Sequence, residues 1–307
     1  MKATEKGAMQ KPNKELQKEL RDFMAEKELS QAQVSRSLGR SHSSLCQWLN
    51  DHYNEGSIEK IENDVKAFLR REKEKAKFTT AKIEFTQTSV SARIFESADM
   101  CHFDCAMGTV IGDAGLGKTR AVKEYARLNP SVILIETCPG WSPRTIIRKI
   151  HLQVGLDGRR STDDMVDEIV ARLNGSGRLI IIDEAENLDS TIINLLRRIY
   201  DFAGIGILLV GMPRLLHNVK GNGDLKQLES RSSISYELKA INKEDVGAIV
   251  STCVPKSEDL VKDYFTECEG NTRILSMLIL RTLRLSDLNK KPITPAMIRE
   301  AKRAITI

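Results

Sequence analysis

Gly112-Asp113-Ala114-Gly115-Leu116-Gly117-Lys118-Thr119 satisfies G-x-x-x-x-G-K-[ST] at every position. Glycines at that spacing let the backbone curl until its N–H groups point inward at phosphate oxygens. Lys118 has the reach to meet β- and γ-phosphates as a point charge, and Thr119 offers a hydroxyl to Mg²⁺. The flanks suit such a loop. Met107 to Ile111 (MGTVI) predicts a short buried strand, and Arg120 to Leu128 predicts a helix whose N-terminus faces the anion. A second stretch, Leu179 to Glu184 (LIIIDE), is an apolar run ending in two carboxylates. The run suits a central parallel strand buried on both faces. Asp183 stands where that strand meets the nucleotide and is the candidate to hold Mg²⁺ with Thr119. Glu184, the next residue, is the candidate to polarise an attacking water. About 65 residues separate Lys118 from Asp183, which leaves room for the intervening strands and helices of an α/β domain.

A chain of 307 residues has room for two or three domains. At 41% hydrophobic and 29% charged it has the composition of a soluble protein. No apolar run approaches the roughly 18 residues that span a bilayer, so no membrane partner is expected. The first twenty residues are polar and lysine-rich, unlike a secretory signal, and a cytoplasmic location is expected. Cys101-His102-x-x-Cys105 resembles half of a metal site, but no second ligand pair follows at zinc-site spacing. Reduced structural thiols are the expectation for all six cysteines. The net charge of +5 is unevenly spread: residues 271–307 carry eight Lys/Arg against two acids, and residues 66–77 carry six against two. Such clusters suit a phosphate-backbone partner, and equally a solvated helix face.

Along the chain, residues 1–13 read as a disordered tail and 14–74 as a compact helical unit. Within it, Ser30 and Gln33 form a capping box at the start of a helix that Gly39 ends. A second helix runs from about Ser41 to Leu49. Together they form a helix-turn-helix pattern whose exposed polar residues, among them Arg40, Ser43 and Gln47, suit phosphate and base-edge contacts. A small bundle used for protein contacts is the alternative. Residues 75–90 read as a polar linker with a β-prone stretch at Ile83 to Thr86. Residues 91–240 alternate strand and helix, with further strands at 132–135 and 206–211. Helices are expected at 143–155, opened by Ser142-Pro143, at 162–173 and at 190–202. This alternation predicts an α/β fold with a parallel sheet between helices. Residues 241–307 return to helical periodicity.

A phosphate loop serves kinases, GTPases and motors alike. Leu228-Glu229-Ser230-Arg231, about twenty residues past the strand ending at Gly211, resembles the arginine finger of AAA+ ATPases, which reaches a γ-phosphate held by a neighbouring subunit. Gly270 to Leu275 (GNTRIL) resembles their second sensor, in which Arg273 would contact the nucleotide in cis. The whole layout resembles the target-DNA activator B family of transposing bacteriophage Mu and its prophage relatives. The likeness covers the helix-turn-helix (Leu29 to Asn50, then Tyr53-Asn54) and Phe85-Thr86-Gln87-Thr88. It extends through GDAGLGKT, IIIDEAENL, LESR and TRIL.

That resemblance implies an AAA+ P-loop core with a parallel sheet, an N-terminal helix-turn-helix domain and a C-terminal helical lid, with ATP and Mg²⁺ as cofactors. Carried onto this sequence, the nucleotide-binding residues are Gly112, Asp113, Ala114, Gly115, Leu116, Gly117, Lys118, Thr119, Arg120, Asp183 and Arg273. The catalytic residues are Lys118, Glu184 and Arg231. The implied partners are double-stranded DNA, bound with little sequence preference, a transposase, and further copies of the chain in a helical filament or ring. The implied setting is the cytoplasm of a bacterial host. Hydrolysis, stimulated by DNA and transposase, would release the DNA. One residue departs from the AAA+ pattern. Met212 occupies the position of a polar sensor and cannot orient a water. Asn187 and Thr137 are the polar alternatives, and slow basal hydrolysis is expected. Arg144, Arg148 and Lys149, on the helix after the second core strand, are candidate DNA contacts or a solvated helix face. Two rival readings are a helicase loader or initiator, and a nucleotide-switched transcription regulator in which residues 30–50 read an operator.

Overall fold

Short helices with strong caps build the N-terminal part of the chain. The computed structural model describes residues 12–52, 58–78, 83–215, 232–254 and 257–305, in two units, Met1–Lys82 and Ile83–Ile307. The first unit has α1 (Lys14–Glu26), α2 (Gln31–Ser37), α3 (His42–Leu49) and α4 (Ile58–Phe78). The capping box forms as the sequence predicts. The Gln33 N–H donates to Ser30 Oγ, and the Ser30 N–H donates back to Gln33 Oε1 at 2.8 Å. Gly39 adopts φ +65° and turns the chain out of α2, a conformation glycine reaches without a Cβ clash. Ser41 then caps α3. Leu20, Leu45, Trp48, Ile61 and Val65 form the centre of a small core. Gln17 Nε2 and Arg21 Nη2 donate to the Trp48 and Leu49 carbonyls at 2.5 and 2.8 Å, satisfying carbonyls that the end of α3 leaves open.

The second unit is a five-stranded parallel sheet between helices. Its elements are α5 (Ser89–Phe103), β1 (Met107–Ile111), α6 (Lys118–Leu128), β2 (Val132–Glu136), α7 (Pro143–Gln153) and α8 (Thr162–Leu173). They continue with β3 (Leu179–Asp183), α9 (Ser190–Ala203), β4 (Gly206–Gly211) and β5 (Ser232–Glu237). The strand order is β2-β3-β4-β1-β5, and every pairing is parallel. β3 and β4 are buried at every position, as their unbroken apolar runs require. Alternate side chains enter opposite layers. Ile180, Ile182, Ile207 and Leu209 pack against α7, α8 and α9, while Ile181, Leu208 and Val210 face α5 and α6.

Four α-helices follow among the described residues: α10 (Lys243–Cys253), α11 (Val261–Cys268), α12 (Thr272–Asn289) and α13 (Pro295–Arg303). Their apolar faces join the α5/α6 layer through Val250, Tyr264, Leu275, Leu278 and Ile298. The Tyr264 and Thr282 hydroxyls meet at 2.5 Å within that core.

The stretch expected as a polar linker, residues 75–90, is divided. α4 runs on to Phe78, and from Ile83 the chain packs with the second unit. The cause is apolar. Ile83 lies against the core, and the Phe85 ring stacks on Phe95 at 6.1 Å, which meets Tyr125 edge-on at 5.4 Å. Two polar ties add to this. The Ser89 N–H and hydroxyl donate to the buried Asp245 carboxylate of α10 at 2.6 and 2.5 Å, and Thr88 caps α5.

Candidate nucleotide site

The parallel sheet delivers its chemistry to the carboxyl ends of its strands. The loop at Gly112–Gly117 leaves β1 and enters α6, and Asp183 ends β3. β4 lies between them, so Met212 sits in the gap. Gly115 and Gly117 adopt φ +83° and +88°. Around this loop is a cavity of about 470 Å³, enough for a nucleotide-sized ligand. Its walls are residues 114–120, Glu184 and Met212 on the sheet side, and Ile249, Thr272, Arg273 and Ser276 from the helical part. Ile83, Phe85, Thr86 and Thr88 close the remaining side.

Lys118 donates from Nζ to the Gly112 and Asp113 carbonyls at 2.6 and 2.8 Å. Burial pushes its pKa down, and the carboxylates of Glu186, Asp183, Glu184 and Asp113 oppose that shift. Asp183 is 1% exposed. Burial pushes its carboxyl pKa up, against donation from the Thr119 hydroxyl and the Glu184 N–H. Its Oδ2 has no hydrogen-bond partner among the described residues. A buried carboxylate oxygen with an open lone pair, beside a threonine hydroxyl, is the donor set that a hard divalent cation such as Mg²⁺ takes. Thr119 and Asp183, predicted as that pair, therefore lie together and fit it. Glu184 holds φ +57°, which is uncommon for a residue with a side chain. Burial, then the charges of Glu186 and Asp183, push its pKa up, which makes it a stronger proton acceptor than an ordinary carboxylate.

The remaining predicted residues divide. Arg273 lines the cavity. Arg120 lines it too, but its guanidinium Nη2 is bonded to the Ile83 carbonyl and holds the approaching chain in place. Arg231 lies outside the described residues, as do the rest of Leu228–Arg231 and Tyr53-Asn54. Met212 is on the cavity wall, whereas Thr137 and Asn187 are not among the described residues that line it. The Thr137 hydroxyl is engaged with the Asp183 and Glu184 carbonyls at 3.1 and 2.7 Å, and Asn187 Nδ2 points at that hydroxyl. Glu186, not foreseen, accepts from the Met212 N–H at 3.0 Å and fastens β4 to the end of β3.

Among the candidate DNA contacts, Arg40 is occupied within its own unit. Its Nε and Nη2 donate to Asp64 Oδ2 at 2.9 and 2.6 Å, tying the α2–α3 turn to α4. Ser43 is exposed, with its hydroxyl 3.1 Å from that of Ser41, and Gln47 Oε1 is buried without a partner among the described residues. In the second unit, Arg144 Nη2 donates to the Arg160 carbonyl at 2.9 Å and Arg148 Nε to that of Gly158 at 3.1 Å. Lys149 lies over the Trp141 ring at 4.5 Å. Arg144 and Arg148 thus share a surface with the exposed Arg159 and Arg160, a pair the sequence reading passed over although it stands next to the predicted helix 162–173. Buried His151 supports this loop. Its Nδ1 accepts from the Gly158 N–H at 3.0 Å, so Nε2 carries the proton that meets Glu168 at 2.7 Å. No helix among the described residues is long and apolar enough to cross a membrane.

Comparison with known proteins agrees with this geometry. Residues 101–219 match the family described as AAA domain. The chain is 27% identical over 266 residues to the Mu-like prophage FluMu DNA transposition protein B of Haemophilus influenzae, covering 84% of this chain and 92% of that one. It is also 27% identical over 235 residues to the ATP-dependent target DNA activator B of Escherichia phage Mu, covering 75% of each. Among solved structures, the fold is similar to the Aeropyrum pernix ORC2 protein in its ADP form. The TM-score is 0.56 at 18% identity, over 74% of this chain and 71% of that one. It is similar also to CDC6P from Pyrobaculum aerophilum, with a TM-score of 0.58 at 15% identity, over 75% and 70%. With its glycine-rich loop and strand-end carboxylates on a five-stranded parallel sheet, the chain has an AAA+ P-loop fold and is similar over most of its length to the Mu-type target DNA activator B proteins.

Proposed function

We propose that the chain is an ATPase that assembles on double-stranded DNA when ATP is bound and presents that DNA to a transposase. The observation that carries the nucleotide half is the Thr119–Asp183 pair beside the loop at residues 112–119, with one buried carboxylate oxygen left open. The DNA and transposase half is supported by the names of the relatives, a DNA transposition protein and a target DNA activator. In this scheme residues 14–74 are a helix-turn-helix domain, 91–240 the ATPase core and 241–307 its lid, working in a bacterial cytoplasm.

Residues 112–119 cradle the phosphates with backbone N–H groups. Lys118 leaves the Gly112 and Asp113 carbonyls for phosphate oxygens. Thr119 and Asp183 would hold Mg²⁺, which would neutralise phosphate charge. Glu184 accepts a proton from the attacking water, and Arg231 of a neighbouring copy meets the γ-phosphate. Since that site is complete only between copies, ATP favours assembly, and loss of the γ-phosphate weakens it. Arg144, Arg148, Lys149, Arg159 and Arg160 offer cations to the DNA backbone without reading sequence. Met212 leaves the attacking water poorly oriented, which makes basal turnover slow. Steady-state ATP hydrolysis by the full chain, with and without linear duplex DNA of mixed sequence, tests the scheme. DNA-stimulated turnover dependent on Mg²⁺ is expected; turnover indifferent to both would refute it.

A further inference from the structure

The lid helix α12 begins on the phosphate loop itself. Its N-cap, Asn271, uses Oδ1 to accept from the Arg273 and Ile274 N–H groups at 2.9 and 3.2 Å. The same side chain uses Nδ2 to donate to the Ala114 carbonyl at 3.2 Å. Thr272 donates twice to the Gly115 carbonyl, from its backbone N–H at 2.8 Å and its hydroxyl at 2.6 Å. The contact is close: a Cβ on Gly115 would run into the Asn271 amide. In a trans peptide the carbonyl and the following N–H point in opposite directions. Bonds that draw the Ala114 and Gly115 carbonyls to the lid therefore turn the Gly115 and Leu116 N–H groups away from it.

We propose that Asn271 and Thr272 are positioning residues that set the peptide planes of the phosphate loop, so that the lid and the phosphates grip opposite edges of the same two peptides. The proposal rests on residues 112–119 being the phosphate loop. Coupling of this kind is reciprocal: whatever the clamp adds to nucleotide affinity, the nucleotide adds to docking of α12. It is also blind to the γ-phosphate, because the clamped carbonyls belong to residues 114 and 115. ATP and ADP gain from it alike, unlike any contact made by Arg273 to the γ end.

The test is calorimetric titration of the full chain with Mg-ATP and Mg-ADP, paired with hydrogen exchange of α12. Asn271→Ser keeps a strong N-cap and removes the amide that reaches Ala114. It should weaken both nucleotides about three- to tenfold with their ratio unchanged. At saturating nucleotide, the slowing of exchange at residues 273–278 seen in the wild type should be reduced. Thr272→Val keeps the backbone bond and the side-chain shape, and should weaken both by about two- to threefold. If Asn271→Ser melts α12, Thr272→Val decides alone. Wild-type affinities in both variants, or a loss confined to ATP, would overturn the clamp. Failure of the wild type to bind either nucleotide would overturn the phosphate-loop assignment itself, and the clamp with it.

Discussion

Replacing Asp183 with asparagine should make the protein more stable and less able to hold its nucleotide. Asp183 is buried, its Oδ2 has no partner among the described residues, and its pKa is pushed up chiefly by burial. Asparagine keeps the shape and one oxygen for the Thr119 hydroxyl and the Glu184 N–H, and discards the charge. A buried polar group without a partner costs about 1–3 kcal/mol, more when charged. The asparagine amide would itself be unpartnered, so the gain belongs at the lower end, about 1–2 kcal/mol. In a domain of this size each kcal/mol moves Tm by about 2–4 °C. A raised carboxyl pKa means that the folded state disfavours the charged form. The wild type's deficit is therefore complete above the folded pKa, shrinks as pH falls through it, and vanishes below the unfolded value near 3.9. Thermal unfolding without nucleotide or divalent cation, at pH 7.5 and at mildly acidic pH, measures the gap. Mg-ATP should then raise Tm in the wild type and lose most of that effect in the variant. A variant less stable than wild type at pH 7.5, or a gap that widens on acidification, would refute the account of Asp183 as a ligand held open.

Three further outcomes are expected. Arg231→Ala should lower DNA-stimulated hydrolysis by about 10³–10⁵-fold while leaving Mg-ATP affinity in calorimetry unchanged; normal turnover would remove Arg231 from the site. Glu184→Gln should bind ATP and hold the assembled state on DNA, so that light scattering persists after ATP is added in limiting amount; decay at the wild-type rate would show that another group takes the proton. Paired Arg159→Ala and Arg160→Ala changes should lower the slope of log affinity for duplex DNA against log salt by about 2, with no change in sequence preference. An unaltered slope would place the DNA elsewhere.

What the sequence revealed follows from how each feature is encoded. β3 and β4 were legible because a strand buried on both faces must be apolar throughout, as Leu179–Ile182 and Ile207–Val210 are. Helix starts at Ser30 and Ser142 were legible because a cap acts within three residues of itself. The glycine-rich loop after β1 and the carboxylates at the end of β3 were legible because each pattern is local to its own motif. What escaped joins residues far apart in the chain. The Asn271–Ala114 and Ser89–Asp245 bonds span 157 and 156 residues, and no local pattern announces either. Two arginines have partners that are hidden for the same reason. Arg40 and Arg120 look like free cations in the sequence, while their partners, Asp64 and the Ile83 carbonyl, lie 24 and 37 residues away. The segment at residues 83–88 looked like linker because its few apolar residues show no period. Ile83 and Phe85 nonetheless suffice to seat it on the core beside the cavity.

The central claim, that ATP drives this chain to assemble on DNA, is tested most directly by negative-stain imaging of the full chain with linear duplex DNA in ATP, in ADP and without nucleotide. Continuous coating of the duplex in ATP alone is the predicted result. Discrete, site-localised particles that look the same in all three conditions would contradict it.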